Sequence, residues 1–317
     1  MRCIDKRAEF GFVWLFAIIA GIAILLLSIY GATQIGGTQR YETHASIAKK
    51  LTVLTDPLEA GFTSATFGTI KFQQETRIRN LCSDIGFGEN SIAASSRSGV
   101  GKEWLDFGPA TSIKEKYVFG KEEDSGETYY VLSKAFDYPY KIADFIVLIS
   151  DKKKYCFLDA PKEVREELES LKIPVVSFEN CSSGDYVDVC FGKEGCDISV
   201  IGGCDSCQDV FETGIVKLEN GGVVSYVGDL IYPAIFSGKG NFECNVHRLL
   251  YRGSIVGKIL ARKADLMNAR ECNTNLGPVL YGWSSALGNA SIDDMVGLYG
   301  SAVKLEESAK WEVCGVW

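Results

Sequence analysis

Histidine is nearly absent from this sequence, which has only His44 and His247 among its 317 residues. A zinc protease of the H-E-x-x-H type needs two histidines one helical turn apart, and a Ser-His-Asp hydrolase needs one that activates its nucleophile. His44 lies close to a long apolar run near the N-terminus, so any such site would depend on His247 alone. The paired acidic residues have no catalytic partner at a recognisable spacing. We therefore expect a protein that is not an enzyme.

Positive charge is also scarce, because 33 lysines and arginines stand against 41 aspartates and glutamates, for a formal net charge of -8. Nucleic acids and anionic lipids are bound by clustered positive charge. We therefore expect no nucleic-acid partner. The content of 23% charged and 46% hydrophobic residues is ordinary for a folded chain, and a chain of this length can bury one large core or two smaller ones.

Charge is missing altogether from Phe10 to Tyr30. At 1.5 Å per residue a helix of this length extends about 31 Å, which matches the hydrocarbon core of a bilayer. We therefore predict that Phe10–Tyr30 forms a transmembrane helix, through which the protein binds the membrane. A secretory signal peptide is the alternative. Its apolar region normally covers only about 7–15 residues, and the best cleavage candidate here, Tyr30-Gly31-Ala32, has a bulky side chain where a small one is needed.

The flanking charges predict the orientation of this helix. Arg2, Lys6 and Arg7 precede the apolar run, whereas Arg40 is the only basic residue shortly after it. Basic residues close to a span are retained on the cytoplasmic side. We therefore expect a single-pass protein of the cell membrane, with a cytoplasmic N-terminus and an extracytoplasmic domain.

Cysteine is abundant, with eleven in the chain. Cys3 precedes the apolar run. The other ten follow it and are the disulfide candidates: Cys82, Cys156, Cys181, Cys190, Cys196, Cys204, Cys207, Cys244, Cys272 and Cys314. An even number in an oxidising compartment indicates disulfides, here up to five, whose connectivity does not follow from the sequence. Cys272 and Cys314 are placed to tie the loop after a predicted helix to the chain end.

Two other uses of these cysteines stay open. Cys204 and Cys207 form a C-x-x-C pair, which at a helix N-terminus can exchange disulfides and would make the protein a thiol-disulfide oxidoreductase. The same pair together with Cys244 and His247 could supply four zinc ligands. The neighbouring cysteines favour a structural role, and His247 lies within an amphipathic pattern. We therefore expect no cofactor, with zinc as the alternative.

Secondary structure changes character along the chain. An apolar stripe at Ile47, Leu51, Leu54 and Leu58 predicts a stalk helix, and alternating runs predict β structure over about 66–141. The run 143–149 is typical of a strand buried on both faces. Strand 155–158, helix 161–171 and strand 175–178 then fit an α/β unit. Two further strands are expected at 186–191 and 198–201, and a hairpin at 215–227 has its turn residues in place.

The C-terminal part is predicted to be helical. Apolar spacing indicates one long helix from about 242 to 269 and a shorter one near 279–287, and Ser291 begins a capping box for a final helix. The fold class is therefore mixed α+β or α/β, with an N-terminal transmembrane helix, a central mixed sheet that contains the α/β unit, and a helical C-terminal subdomain. The expected divisions are a cytoplasmic segment 1–9, the span 10–30, a stalk 31–61, a β-rich and α/β domain 62–230, and the helical subdomain 231–317.

The N-terminal segment Lys6-Arg7-Ala8-Glu9 and the apolar residues directly after it resemble the start of archaeal type IV pilin-like proteins. The resemblance implies cleavage after Ala8. The whole chain, including residues 230–237 and 243–250, looks like uncharacterised archaeal membrane-anchored proteins, which implies an envelope setting and no activity. We expect a binding or assembly component that contacts itself or another envelope protein, with the oxidoreductase as the alternative.

Overall fold

The computed structural model describes residues 14–30, 65–97, 103–178, 181, 185–202, 211–270, 272–312 and 314–317. These residues form a mixed α+β fold, as predicted, with two six-stranded sheets and a set of helices. The prediction of one central sheet is therefore wrong. The stalk stripe 47–58 and the pilin-like residues 6–13 lie outside the described residues, so the predictions made for them stay predictions.

The N-terminal helix α1 covers residues 14–30. Within the described ranges, no helix is both long enough and apolar enough to cross a membrane. The prediction of a transmembrane helix in this fold is therefore wrong. That prediction rested on the uncharged run from Phe10 to Tyr30, of which the structure describes residues 14–30.

The first sheet has the strand order β3-β2-β1-β5-β6-β4. Its strands are β1 (Thr66–Ser83), β2 (Glu89–Ser96), β3 (Thr111–Ile113), β4 (Tyr117–Phe119), β5 (Glu123–Asp137) and β6 (Lys141–Ser150). All neighbours are antiparallel except β4 and β6, which are parallel. The sheet is therefore largely antiparallel, and it covers the region in which alternating runs predicted β structure.

Strand β6 is buried on both faces, as its apolar run predicted. Phe145 and Val147 belong to the large core that the sheet shares with the helices. Ile146 and Leu148 belong to a second, smaller core with Tyr129 of β5. Because successive side chains of a strand point to opposite faces, one continuous apolar run serves both cores.

The second sheet has the strand order β12-β11-β10-β9-β7-β8. Its strands are β7 (Lys154–Leu158), β8 (Val176–Ser177), β9 (Tyr186–Phe191), β10 (Ile198–Gly202), β11 (Thr213–Lys217) and β12 (Val223–Val227). Strands β8, β7, β9 and β10 are parallel to one another, whereas β11 and β12 form the predicted hairpin. Helix α2 (Lys162–Leu171) connects β7 to β8 and buries Val164 and Leu168, which confirms the α/β unit.

Helices follow the second sheet. A short 3-10 turn (Gly228–Leu230) and the buried α3 (Ile231–Phe236) lead into α4 (Lys239–Asn268), α5 (Leu276–Asn289) and α6 (Ile292–Trp311). Helix α4 contacts α5 and strands of both sheets. The predicted capping box is present, since the Ser291 side chain accepts from the Asp294 N–H and the Asp294 carboxylate accepts from the Ser291 N–H. The C-terminal helices therefore share one apolar core with the sheets.

Four disulfides join these elements: Cys82–Cys244, Cys156–Cys181, Cys190–Cys196 and Cys272–Cys314. Their Cα–Cα distances lie between 5.9 and 6.0 Å. Such distances suit unstrained bridges. The prediction that most of the candidate cysteines pair is confirmed, as is the pair of Cys272 and Cys314. These bridges are compatible with a protein that matures in an oxidising, extracytoplasmic compartment.

Candidate functional site

The candidate site is an open cleft of about 440 Å³. It lies where the start of β6, the middle of α4 and the segment before β4 meet. Its apolar lining comes from Ile142, Ala143 and Val256, and its charged lining from Glu115, Lys141, Asp144 and Arg252. Charged residues thus form most of the lining, and Ile142 and Ala143 are themselves buried in the core.

Arg252 is the residue of this cleft whose positively charged side chain is held in one orientation. Its Nε donates to the main-chain oxygen of Ile142 at 2.9 Å, which fixes the plane of the guanidinium group. Burial raises the pKa of Tyr117, although the nearby charges of Arg252 and Arg248 oppose the shift, so the phenol stays neutral. Within the described part of the chain, no carboxylate forms an ion pair with Arg252.

The other charged groups of the cleft differ from Arg252. Lys141 Nζ pairs with Asp144 Oδ1 at 2.7 Å, so these two charges largely offset each other. Glu115 is exposed. The cleft therefore offers one anchored guanidinium group without a carboxylate counterion, beside a neutralised pair and an acidic rim.

Directly behind the cleft lies the Arg248 cluster, which comprises Arg248, Tyr117, Asn90, Asn245 and Gly88. Arg248 lies one turn before Arg252 on α4 and is fully buried. Its Nη1 donates to Asn90 Oδ1 at 2.5 Å and to Asn245 Oδ1 at 2.8 Å. Its guanidinium carbon lies 4.7 Å from the centre of the Tyr117 ring. Gly88 has φ +62°, and a Cβ there would lie 2.9 Å from the Arg248 side chain.

The remaining donors of Arg248 reach main-chain oxygens of two loops. Nε donates to Phe87 O at 3.1 Å, and Nη2 donates to Lys114 O at 3.0 Å and to Lys116 O at 3.2 Å. Burial lowers the pKa of Arg248, but a guanidinium stays protonated at any physiological pH. Neutral dipoles thus solvate this buried charge. The cluster fixes the segment that carries Tyr117.

A second, partly buried cation lies away from the cleft, in the Lys134 cluster, which comprises Lys134, Glu167, Asp229 and Tyr232. Lys134 Nζ lies 2.5 Å from Glu167 Oε1 and 2.7 Å from Asp229 Oδ1. The Tyr232 hydroxyl donates to the Glu167 carboxylate. Because these residues come from β5, α2, the 3-10 turn and α3, the cluster joins the two sheets through their helices.

Burial dominates the titration behaviour of the Lys134 cluster. It raises the pKa of Asp229, and the attraction of Lys134 only partly opposes the shift. Burial and the nearby charges of Glu167 and Asp229 raise the pKa of Tyr232 far above its usual range. Because each charged group already has a partner, we interpret this cluster as structural rather than as a ligand site.

The structure describes only some of the cysteine and histidine residues that the sequence analysis proposed as redox or zinc sites. Cys204 and Cys207 lie outside the described residues, so the redox prediction stays a prediction. Cys244 is bonded to Cys82 and therefore supplies no thiolate to a metal while that bridge is formed. His247 Nδ1 instead lies 3.4 Å from Asp84 Oδ2 on the surface. In the described ranges, no three His, Cys, Asp or Glu residues are grouped so as to hold a metal ion. The proposed zinc set thus loses one of its four ligands.

The sequence analysis missed the arginines of α4. Arg248 and Arg252 are four residues apart, so they lie on one face of the helix. Arg248 is also followed by Leu249 and Leu250, which belong to the core. A charged residue inside the apolar face of a helix was therefore the available signal that this arginine is buried.

No family model matches this sequence, and comparisons with curated proteins and with solved structures find no match either. The resemblance to archaeal pilin-like and membrane-anchored proteins therefore stays a prediction.

Proposed function

We propose that this chain works outside the cytoplasm as a rigid, non-enzymatic binding or assembly protein. The observation that carries the proposal is the disulfide framework, in which two of the four bridges involve residues of α4 or the loop directly after it. Bridges of this kind constrain the unfolded chain and typically contribute about 2–4 kcal/mol each. They suit a protein that must keep one shape without the help of cytoplasmic chaperones.

The cleft supports a binding role in particular. Arg252 is held there by a hydrogen bond, and Lys141 and Asp144 are held by an ion pair, before any ligand arrives. A site that is ordered in advance loses less conformational entropy on binding.

Thiol labelling of the purified full-length protein tests the framework. The protein is unfolded in guanidinium chloride without reductant, treated with N-ethylmaleimide and mapped by mass spectrometry. We expect the eight cysteines of the four disulfides to stay unmodified, and to be labelled only after reduction. Labelling of these residues in protein taken directly from cells would overturn the proposal.

Two further measurements separate the proposal from its alternatives. A membrane-impermeant biotin reagent applied to intact producing cells should label this protein and leave a cytosolic control protein unlabelled. An insulin-reduction assay should give no activity above that of a Cys204→Ser/Cys207→Ser variant. Activity that this double variant loses would favour the oxidoreductase over the binding protein.

A further inference from the structure

We infer that Asn289, in the turn between α5 and α6, is the attachment site of an N-linked glycan. Asn289, Ala290 and Ser291 form the acceptor pattern Asn-x-Ser, with a residue other than proline in the middle. The inference rests on the extracytoplasmic location in the proposed function, because such glycans are attached to proteins outside the cytoplasm. The pattern alone is short, so the surroundings of Asn289 carry the argument.

The side chain of Asn289 is accessible and needs only half of its donors. Asn289 is the last residue of α5 and is exposed. Its Nδ2 donates to Ser285 O, one turn earlier in the same helix, at 3.0 Å. A side-chain amide has two N–H donors, and a sugar replaces one of the two hydrogens. The glycosylated side chain can therefore keep its bond to Ser285 O.

The surface beside Asn289 has room for a sugar. An open depression of about 410 Å³ lies between the end of α5 and the first turns of α6, and Asn289 lines it. Its other lining includes Ala286, Ala290 and Gly297, whose side chains are short or absent, and a Cβ at Gly297 would meet nothing within 4 Å. The exposed carboxylate of Asp293 lies in the same depression and can accept hydrogen bonds from sugar hydroxyls.

Attachment joins Asn289 Nδ2 to the anomeric carbon of a sugar that is carried by a lipid phosphate, the class of donor that we assign to this step. The bond between that carbon and the phosphate oxygen breaks, and the lipid phosphate leaves with the electron pair. Nδ2 gives up one proton to a base of the membrane transferase that catalyses the step. The side chain remains a neutral amide.

Ser291 has two roles that a test must separate. Its hydroxyl completes the acceptor pattern. In the folded chain the same hydroxyl caps α6, since Ser291 Oγ accepts from the Asp294 N–H at 3.3 Å and donates to Asp294 Oδ2 at 2.7 Å. Asparagine and threonine also cap helices well, but only threonine keeps the hydroxyl of the pattern.

Mass spectrometry of the full-length protein, purified from the cells in which it naturally occurs, tests the inference. Trypsin should release residues 271–304, which contain Asn289. We expect this peptide to be heavier than its sequence by the mass of one or more sugars, and its fragment ions to place the sugar on Asn289. An unmodified peptide would overturn the inference, as would a sugar found only at the second Asn-x-Ser pattern, Asn180-Cys181-Ser182.

Four variants produced in the same cells locate the attachment. Asn289→Gln should lose the added mass from the peptide that contains position 289, and Ser291→Asn should lose it while keeping the cap. Ser291→Thr should retain the added mass, because it preserves both the pattern and the cap. Asn180→Gln is the matched control at the other pattern and should leave the peptide 271–304 modified. Added mass that persists in Ser291→Asn would contradict attachment through this pattern.

The result is separable from that of the proposed function. If Asn289 is unmodified while the disulfides are formed and the biotin reagent labels the protein on intact cells, the glycan assignment fails and the proposed function stands. If labelling finds reduced cysteines in protein taken directly from cells, the proposed function fails, and the peptide 271–304 still reports on Asn289 by itself.

Discussion

Arg248 and Lys134, two cations in the part of the chain that the structure describes, are accommodated in opposite ways. Arg248 is surrounded by amide and main-chain oxygens and has no carboxylate partner among the described residues. Lys134 lies between the carboxylates of Glu167 and Asp229. Arg248 is completely buried, whereas the Lys134 side chain is 12% exposed.

The difference follows from the geometry of the two side chains. A guanidinium carries five donors in a rigid fork, so one arginine can satisfy acceptors from several loops at once. An ammonium is a compact point charge that is best neutralised by carboxylates. The contribution of the Arg248 cluster to the free energy of unfolding should therefore not depend on pH. That of the Lys134 cluster should depend on pH, because the cluster contains a carboxyl group that titrates. Four predictions follow, in order of decreasing effect.

Removal of the Cys82–Cys244 bridge by a double serine substitution should have the largest effect. This bridge joins the end of β1 to the helix that carries Arg248 across a sequence separation of 162 residues. The chain-entropy model then gives a loss of about 5 kcal/mol, against about 2 kcal/mol for a short loop such as that of Cys190–Cys196. Urea unfolding of both double variants checks this. A smaller loss for Cys82–Cys244 than for the short bridge would mean that the Arg248 cluster alone holds α4 on the first sheet.

Arg248→Met should lower the free energy of unfolding by about 3–4 kcal/mol, because its buried acceptors would lose their donors and water cannot easily replace them. The loss should be the same at pH 5 and pH 8. Arg248→Lys should recover less than half of it, since an ammonium cannot reach acceptors in several loops. Urea unfolding measures the loss, with Arg262→Met as the exposed control. A loss below about 1 kcal/mol would contradict the structural role of the cluster.

Lys134→Met should cost about 2–3 kcal/mol at pH 7, because two carboxylates are left close together without their cation. The loss should shrink as the pH falls, since protonation of Asp229 removes one of these charges. Urea unfolding at pH 7 and pH 4.5 provides the comparison with Arg248→Met. A loss that is equal at both pH values would remove the proposed difference between the two clusters.

Asp229→Asn should have the smallest effect, well under 1 kcal/mol at pH 7, because this carboxylate is partly exposed and screened by solvent. Burial raises the pKa of Asp229 in the folded chain. The group therefore contributes stability that is complete below its unfolded pKa and is lost as the pH rises through its folded pKa. The unmodified protein should thus gain stability relative to Asp229→Asn as the pH falls from 7 to 4. Unfolding profiles that stay parallel over this range would contradict the raised pKa.

Local elements of the fold could be predicted because their causes lie within a few residues. The hairpin of β11 and β12 turns at Gly221, which has φ +79° and donates to Leu218 O. The capping box needs only Ser291 and Asp294. The apolar run of β6 indicated burial on both faces because a strand alternates its side chains.

The sequence by itself thus determined where most strands and helices form, and that the cysteines form disulfides. Only the tertiary structure decided that the strands divide between two sheets, and that Cys82 pairs with Cys244. It also brought the acceptors of Arg248 together from two loops, strand β2 and helix α4, and placed Arg252 beside Ile142. These contacts join residues more than 100 positions apart, apart from Asn245 on the same helix. Local sequence patterns do not predict such distant partners, because these residues come together only when the apolar faces of the chain pack.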